Sequence, residues 1–276
     1  MNEQIIFIVW RESIEALLVV GILHSWLRRE ANSATGMKYL QGGVAAGLVA
    51  AFALAFALMR LSEVFSGPAQ DYLMTAMVFI AALLIVQMVA WMRTHGAGLK
   101  RELESSLDSA MQDNNYKGIF LLAMLAIARE GSETVIFLYG VLAATKSVSI
   151  LEVAGLIFLG FVAAFLTYLL LQTGSRFMPW RRFFQISETL LLLLGCALVV
   201  TGVGNLVSLG FLPYLDPLWD SSWLLNDAGK FGGLVAALTG YRAMPDLVTV
   251  LTWAGYIVVV GMMLWRSTYR RKTVEV

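Results

Sequence analysis

The sequence predicts an all-α integral membrane protein of seven transmembrane helices, with helices 1–3 and 4–6 forming an inverted repeat. Three observations carry that expectation: an apolar composition, seven segments long enough to span a bilayer, and a lopsided distribution of lysine and arginine between them. Of 276 residues, 59% are hydrophobic and 14% charged, and the mean hydropathy is +0.74. A soluble domain is about 45–50% apolar and about 25% charged. The whole chain, 1–276, reads as one transmembrane domain.

A spanning helix needs about 20 mostly apolar residues. Repeat 1 (1–96) supplies three such stretches, at 4–27, 38–59 and 70–92. The first carries Arg11, Glu12 and Glu15 inside an apolar run. The second holds Gly42, Gly43 and Gly47, which predict close helix packing. The third holds Gln87, which suits a bond across helices, and Met88 and Met92 one turn apart. The segment 97–114 is polar, with Leu99, Leu103, Leu107 and Met111 at four-residue spacing. It reads as an amphipathic surface helix on the cytoplasmic side.

Repeat 2 (115–206) supplies spans at 117–143, 150–172 and 182–206. The fourth helix carries Arg129, Glu130 and Glu133; the fifth holds Gly155, Gly160 and Gln172; the sixth has Glu188 about two turns from its cytoplasmic end. The loop 207–246 contains three of the five prolines, Trp219 and Trp223 of an interfacial belt, and the run "KFGGLVAALTGY". That run is too short to span and predicts a re-entrant or interfacial piece. Helix 7 occupies 247–265.

Basic residues set the orientation, because cytoplasmic loops retain an excess of Lys and Arg. Arg28, Arg29, Lys38, Arg93, Lys100, Arg101, Lys117, Arg176, Arg181, Arg182, Arg266, Arg270, Arg271 and Lys272 fall on one side. Arg60, Lys146, Lys230 and Arg242 fall on the other, and Arg11 and Arg129 lie within helices. The N-terminus is therefore expected outside and the C-terminus in the cytoplasm. "MNEQ" lacks a basic n-region, so no cleavable signal peptide is expected.

Composition also excludes chemistries. A formal charge of +1 leaves no basic surplus to neutralise phosphates, which argues against a nucleic-acid partner. Cys196 is the single cysteine and lies in an apolar run, so disulfides and thiolate metal sites are not expected. His24 and His95 are too few for a histidine-rich metal centre. No phosphate-binding glycine loop, nucleophile elbow or H-E-x-x-H is present. The sequence does not read as an enzyme.

The chemistry concentrates in a duplicated motif. Residues 11–15 read "RESIE" and residues 129–133 read "REGSE". At about 100° per residue, Arg sits at 0°, the first Glu at about 100° and the second at about 40°, so all three share one arc. At about 1.5 Å per residue, Glu12 and Glu15 lie about 12 and 16 Å from Gln4, and Glu130 and Glu133 about 18 and 22 Å from Gly118. Both motifs thus fall in the middle of a core about 30 Å thick. Three charges in helix 1 cost about 9 kcal/mol, against about 6 kcal/mol returned by its Leu, Ile, Val and Phe residues. Helix 1 needs a partner for its polar face, and the same face of helix 4 is the one expected.

Four carboxylates and two guanidiniums leave an excess of about two negative charges at neutral pH. Carboxylate oxygens select hard cations, and neither motif contains Cys, His or Met. The motif glutamates Glu12, Glu15, Glu130 and Glu133 are candidate metal ligands. Arg11 and Arg129 would orient them through bidentate hydrogen bonds. The alternative is a structural ion-pair cluster locking helix 1 to helix 4.

Paired R-E-x-x-E motifs in helices 1 and 4, with "LESSLDSA" after helix 3 and "LTGYRAMP" before helix 7, resemble the oxidase-dependent iron permease (iron/lead transporter) family over nearly the whole chain. The family commonly writes R-E-G-L-E, whereas this chain has Ser13-Ile14 and Gly131-Ser132. The resemblance implies import of iron as Fe3+, with the four motif glutamates as ligands and iron as cargo rather than a permanently bound cofactor. It implies residence in the cell (inner) membrane and an extracytoplasmic oxidase or peroxidase and a periplasmic iron-binding protein as partners.

Outlying carboxylates extend that picture. Glu104 and Asp108 on the amphipathic helix, with Glu188, are candidates for a relay on the cytoplasmic side; solvated surface charge is the alternative for the first two. Asp216, Asp220 and Asp227 are candidates for outer capture, or turn and cap residues. Oxygen donors alone do not separate Fe3+ from Fe2+, Pb2+ or Mn2+. A glutamate-dependent intramembrane hydrolase is a further reading, which the shortage of histidines at membrane depth disfavours, and a structural subunit is the last.

Overall fold

A computed structural model describes residues 2–29, 33–65, 67–95, 105, 116–143, 149–173 and 180–274. Among them the chain forms eight α-helices: α1 (Asn2–Leu27), α2 (Ser33–Val64), α3 (Pro68–His95), α4 (Tyr116–Ala143), α5 (Ile150–Thr173), α6 (Trp180–Ser208), α7 (Lys230–Thr239) and α8 (Leu247–Val274). Extended pairing among the described residues is confined to an isolated bridge between Pro217 and Asp246. The predicted amphipathic helix at 97–114 lies outside the described residues, Ser105 excepted.

Five of the helices, α2, α3, α5, α6 and α8, are long and apolar enough to cross a membrane. Helices α1 and α4, of 26 and 28 residues, match them in length and differ in carrying the motif charges. Their position in the bundle explains how those charges are tolerated. Large apolar side chains face outward on α2 (Phe52, Phe56), α5 (Phe158, Leu170) and α8 (Val258, Val259). Arg11 and Glu12 of α1 and Glu130 of α4 are buried.

Small residues set the spacing of the two closest pairs. Gly43 lies against Phe120 and Ala123, Gly47 against Met124 and Ile127, and Gly131 against Ala51, so α2 and α4 run in the same direction. Asn2 bonds Glu152, Gly160 meets Ile6 and Val9, and Gly21 meets Tyr168, so α1 and α5 are also parallel. Gly155, expected at a packing surface, faces open space. Gln172, expected to bond across helices, instead donates to the Tyr168 hydroxyl within α5.

Helices α1 and α4 are antiparallel. Ile5 and Ile8 share an apolar cluster with Phe137, Leu138 and Val141, while Leu23 and Leu27 share another with Ile119 and Ala123. Helices α3 and α6 are antiparallel too, with Phe79 beside Gly202, Ile85 beside Gly195 and Arg93 paired with Glu188.

Between α6 and α8 the chain forms a hairpin around α7. Its far end turns at Gly240, whose φ of 75° is left-handed and sterically open to glycine. Gly240 seats against Ala197 and Val200, well inside the length of α6. The Gln4 side chain donates to the Ala237 carbonyl, and Trp253 Nε1 donates to Thr239 O at 3.3 Å. The return limb is tied by Leu218 N to Pro245 O (2.9 Å) and Ser221 N to Ala243 O (2.8 Å).

Candidate metal centre

Both motifs lie near the centres of their helices, and α1 and α4 are antiparallel, so the motifs meet where the helices pass. Each R-E-x-x-E segment projects its charges from one arc, and those arcs face each other. One carboxylate oxygen from each of Glu12, Glu130 and Glu133 lies within 4.8 Å of the others. Oxygen ligands stand about 2.1 Å from a small hard cation, hence about 3–4 Å from one another. The three glutamates need only a small contraction to close on one ion.

Their hydrogen bonding is incomplete. Glu12 Oε2, Glu130 Oε2 and Glu133 Oε2 are buried with no hydrogen-bond partner. Buried polar atoms are nearly always satisfied, and an orphaned charged oxygen is expensive. Three such atoms on three converging residues leave an acceptor set that a cation would fill.

The two arginines are not equivalent. Arg11 is 2% exposed; its Nη1 donates to Glu12 Oε1 at 2.8 Å, and its Nη2 lies 2.5 Å from Glu15 Oε1. Its guanidinium also contacts Met88 Sδ at 2.6 Å and Met92 Sδ at 3.0 Å. Arg129 is 39% exposed, donates from Nε to Glu133 Oε1 at 3.0 Å, and lies over the Trp91 ring at 4.1 Å. Glu15 is thereby engaged by Arg11 and stands outside the three-oxygen group, while Glu130 has no hydrogen bond or ion pair to either arginine among the described contacts.

Helix α3 is the partner that sequence reasoning missed. It supplies Trp91 to one arginine and both thioethers to the other. The signal was present as Met88, Trp91 and Met92 within one turn and a half, but thioethers read as packing until a cation is found beside them. Arg93, counted from sequence with the loop after helix 3, lies within α3 and pairs with Glu188 Oε2 at 3.1 Å.

Apolar layers bracket the charges. On α1 and α4 one cluster holds Ile5, Ile8, Phe137 and Val141, and the other holds Val19, Leu23, Leu27, Ile119 and Ala123. Along α1 and α4 the charged layer lies between these two clusters.

The outer candidates are not brought to this layer. Asp216 and Asp220 are exposed in the hairpin, and Asp227 is half-buried. Asp220 accepts from Ser222 N at 2.8 Å, and Asp227 from Ala243 N at 3.2 Å. Hydrogen bonds from the Ser222 hydroxyl and backbone N–H hold the Asp220 carboxyl below the usual carboxylate range. Glu104 and Asp108 lie outside the described residues.

An apolar helical bundle with outward-facing lipid-like surfaces and a charged interior is a multi-pass membrane protein. The particular kind follows from comparison with known proteins: residues 3–273 match the Iron permease FTR1 family, and the chain belongs to that family. It is thus an iron permease, a transporter rather than an enzyme. It is 28% identical over 255 residues to the ferrous iron permease EfeU of Escherichia coli O6:K15:H31 (strain 536 / UPEC), covering 91% of both chains. The protein of that name from Shigella sonnei (strain Ss046) is equally similar. The one from Yersinia pestis is 26% identical over 254 residues, covering 91% of this chain and 89% of the relative. No solved structure matches the chain. The resemblance drawn from the paired motifs is borne out over nearly the whole length.

Proposed function

We propose that this permease carries Fe3+ inward through the carboxylate layer where α1 and α4 cross. Glu12, Glu130 and Glu133 bind the ion first, and Glu15 joins as Arg11 shifts. The observation that carries this reading is the set of three convergent glutamates, each with one buried oxygen lacking a partner. The all-oxygen donor set supports a hard cation. The nearby thioethers of Met88 and Met92 are turned to Arg11 and do not compete as soft donors.

All seven long helices cross the inner membrane, with the N-terminus outside and the C-terminus in the cytoplasm. Helices α1–α3 and α4–α6 are inverted repeats. Support comes from the helix directions, which are those an inverting two-fold requires: α2/α4 and α5/α1 are both parallel pairs, and α1/α4 and α3/α6 are both antiparallel. Such repeats place the substrate at their interface near the midplane. The hairpin around α7 is a re-entrant segment on the outer side. An inside-negative potential favours cation entry by about 2.3 kcal/mol per charge per 100 mV, so no coupling ion is required. An extracytoplasmic oxidase or peroxidase and a periplasmic iron-binding protein deliver the ion, and iron is cargo rather than a permanently bound cofactor.

Uptake of radioactive iron into proteoliposomes is the test. Entry disappears in Glu12→Ala and in Glu130→Ala while folded protein persists; entry surviving both substitutions would refute the site. A second reading, Fe2+ as cargo, is favoured by the names of the relatives, which are called ferrous iron permeases. Competition among Fe3+, Fe2+, Pb2+ and Mn2+ for the same uptake decides between them.

A further inference from the structure

Beyond the crossing of α1 and α4, one more ion pair lies inside the bundle. Glu188 of α6 is 8% exposed and pairs with Arg93 of α3 at 3.1 Å, with the Arg93 side chain 34% exposed. The pair sits beside the charged layer. Arg11 Nη2, which holds Glu15, contacts Met92, the residue before Arg93. The charges of Glu15 and Glu188 act on one another, and Arg11 is within electrostatic reach of Glu188. Ser187, 3% exposed, adds a buried hydroxyl without a hydrogen-bond partner next to Glu188 in the chain.

The apolar layers show which way this pair leads. Toward the Leu27 end of α1, the cluster that closes the site is built from α1, α2 and α4. Helices α3 and α6 are not part of it; their apolar residues belong to the other cluster, up to Val89 on α3 and from Leu191 on α6. Just past those residues come Arg93 and Glu188. One wall of the exit side is thus hydrocarbon and the opposite wall carries a charged pair, and Arg93 extends from that pair toward the surface.

We propose that Glu188 is the next carboxylate to receive the cargo after Glu15, and that Arg93 holds it in reserve until the ion arrives. This rests on the carboxylate layer being the transport site. An arriving cation repels the guanidinium and replaces it on Glu188, so that loading the acceptor and moving Arg93 out of the path are one event. The exchange is of ion-pair and coordination partners only, and net charge is conserved along the path.

The test measures equilibrium iron binding and the initial rate of radioactive iron entry on purified protein in proteoliposomes. Glu188→Gln is expected to leave binding within about twofold while entry falls about tenfold, the signature of a lost transfer step rather than a lost site. Glu188→Asp, which keeps the carboxylate, recovers most of the rate. The double variant Arg93→Gln with Glu188→Gln stays slow, whereas a pair serving only as structural glue would be repaired by two neutral amides. Arg93→Gln alone raises iron affinity about threefold or more, because it frees a carboxylate and removes a positive charge. Entry within about twofold of the unaltered protein in Glu188→Gln, recovery in the double variant, or unchanged affinity in Arg93→Gln each overturns the proposal. Normal entry in Glu188→Gln with binding lost in Glu12→Ala removes the relay and leaves the site standing. Normal entry in Glu12→Ala removes the site itself.

Discussion

Arg11 and Arg129 occupy the same motif position and do different work. Arg11 is enclosed, with two carboxylates and two thioethers around one guanidinium. Removing it takes from Glu12 and Glu15 the guanidinium that both contact, and breaking a buried pair from one side costs about 3–5 kcal/mol. Arg129 is partly exposed, bonds Glu133 alone and rests on Trp91. An exposed pair of that kind contributes about 1 kcal/mol or less. Arg11→Ala is therefore expected to lower the thermal unfolding midpoint in detergent far more than Arg129→Ala. Equal losses would show that the two motifs are energetically equivalent, contrary to their surroundings.

At the scale of elements, the site depends on how closely α2 approaches α4. A Cβ at Gly47 would lie 2.8 Å from both Met124 O and Ile127 Cβ, and backbone gives way poorly. Gly47→Val forces the helices apart, costs about 1–3 kcal/mol as overpacking, and shifts Glu130 and Glu133 against Glu12. Its iron uptake is expected to fall with its stability. Gly155 has nothing within 4 Å, so Gly155→Ala is expected to match or exceed the original stability, by up to about 1 kcal/mol from helix propensity. Thermal unfolding of both variants, with uptake measured in parallel, checks the pair of outcomes. A destabilised Gly155→Ala would mean that this face of α5 is covered.

For the whole molecule, the proposed orientation rests on the uneven distribution of Lys and Arg between the two ends of the bundle. In that orientation the Leu27 end of α1 and the Arg93–Glu188 pair lie on the inner side. A tag after Val276 is expected to be protected from protease in intact spheroplasts. A tag placed within the hairpin at 212–225 is expected to be cut. The reverse pattern would invert the direction assigned to transport and turn the proposed exit pair into an entry pair.

The membrane class, the seven long helices among the described residues (to within a few residues except where α2 and α8 run further) and the two motifs were all legible in the chain of residues. Each is written in local signals: hydropathy summed over a span, helical periodicity, and charge that apolar surroundings make expensive. The run "KFGGLVAALTGY" was legible as an apolar stretch too short to span, and its helix, Lys230–Thr239, emerged only in the fold. Which glutamates converge was set by packing, because Glu15 and Glu133 hold equivalent motif positions and differ only in the arginine environment that folding creates. The fold also decided that Met88, Met92 and Trp91 serve the arginines, and that Arg93 lies in a helix facing Glu188. Those pairings join residues from 38 to 95 positions apart, a separation that no local pattern reports.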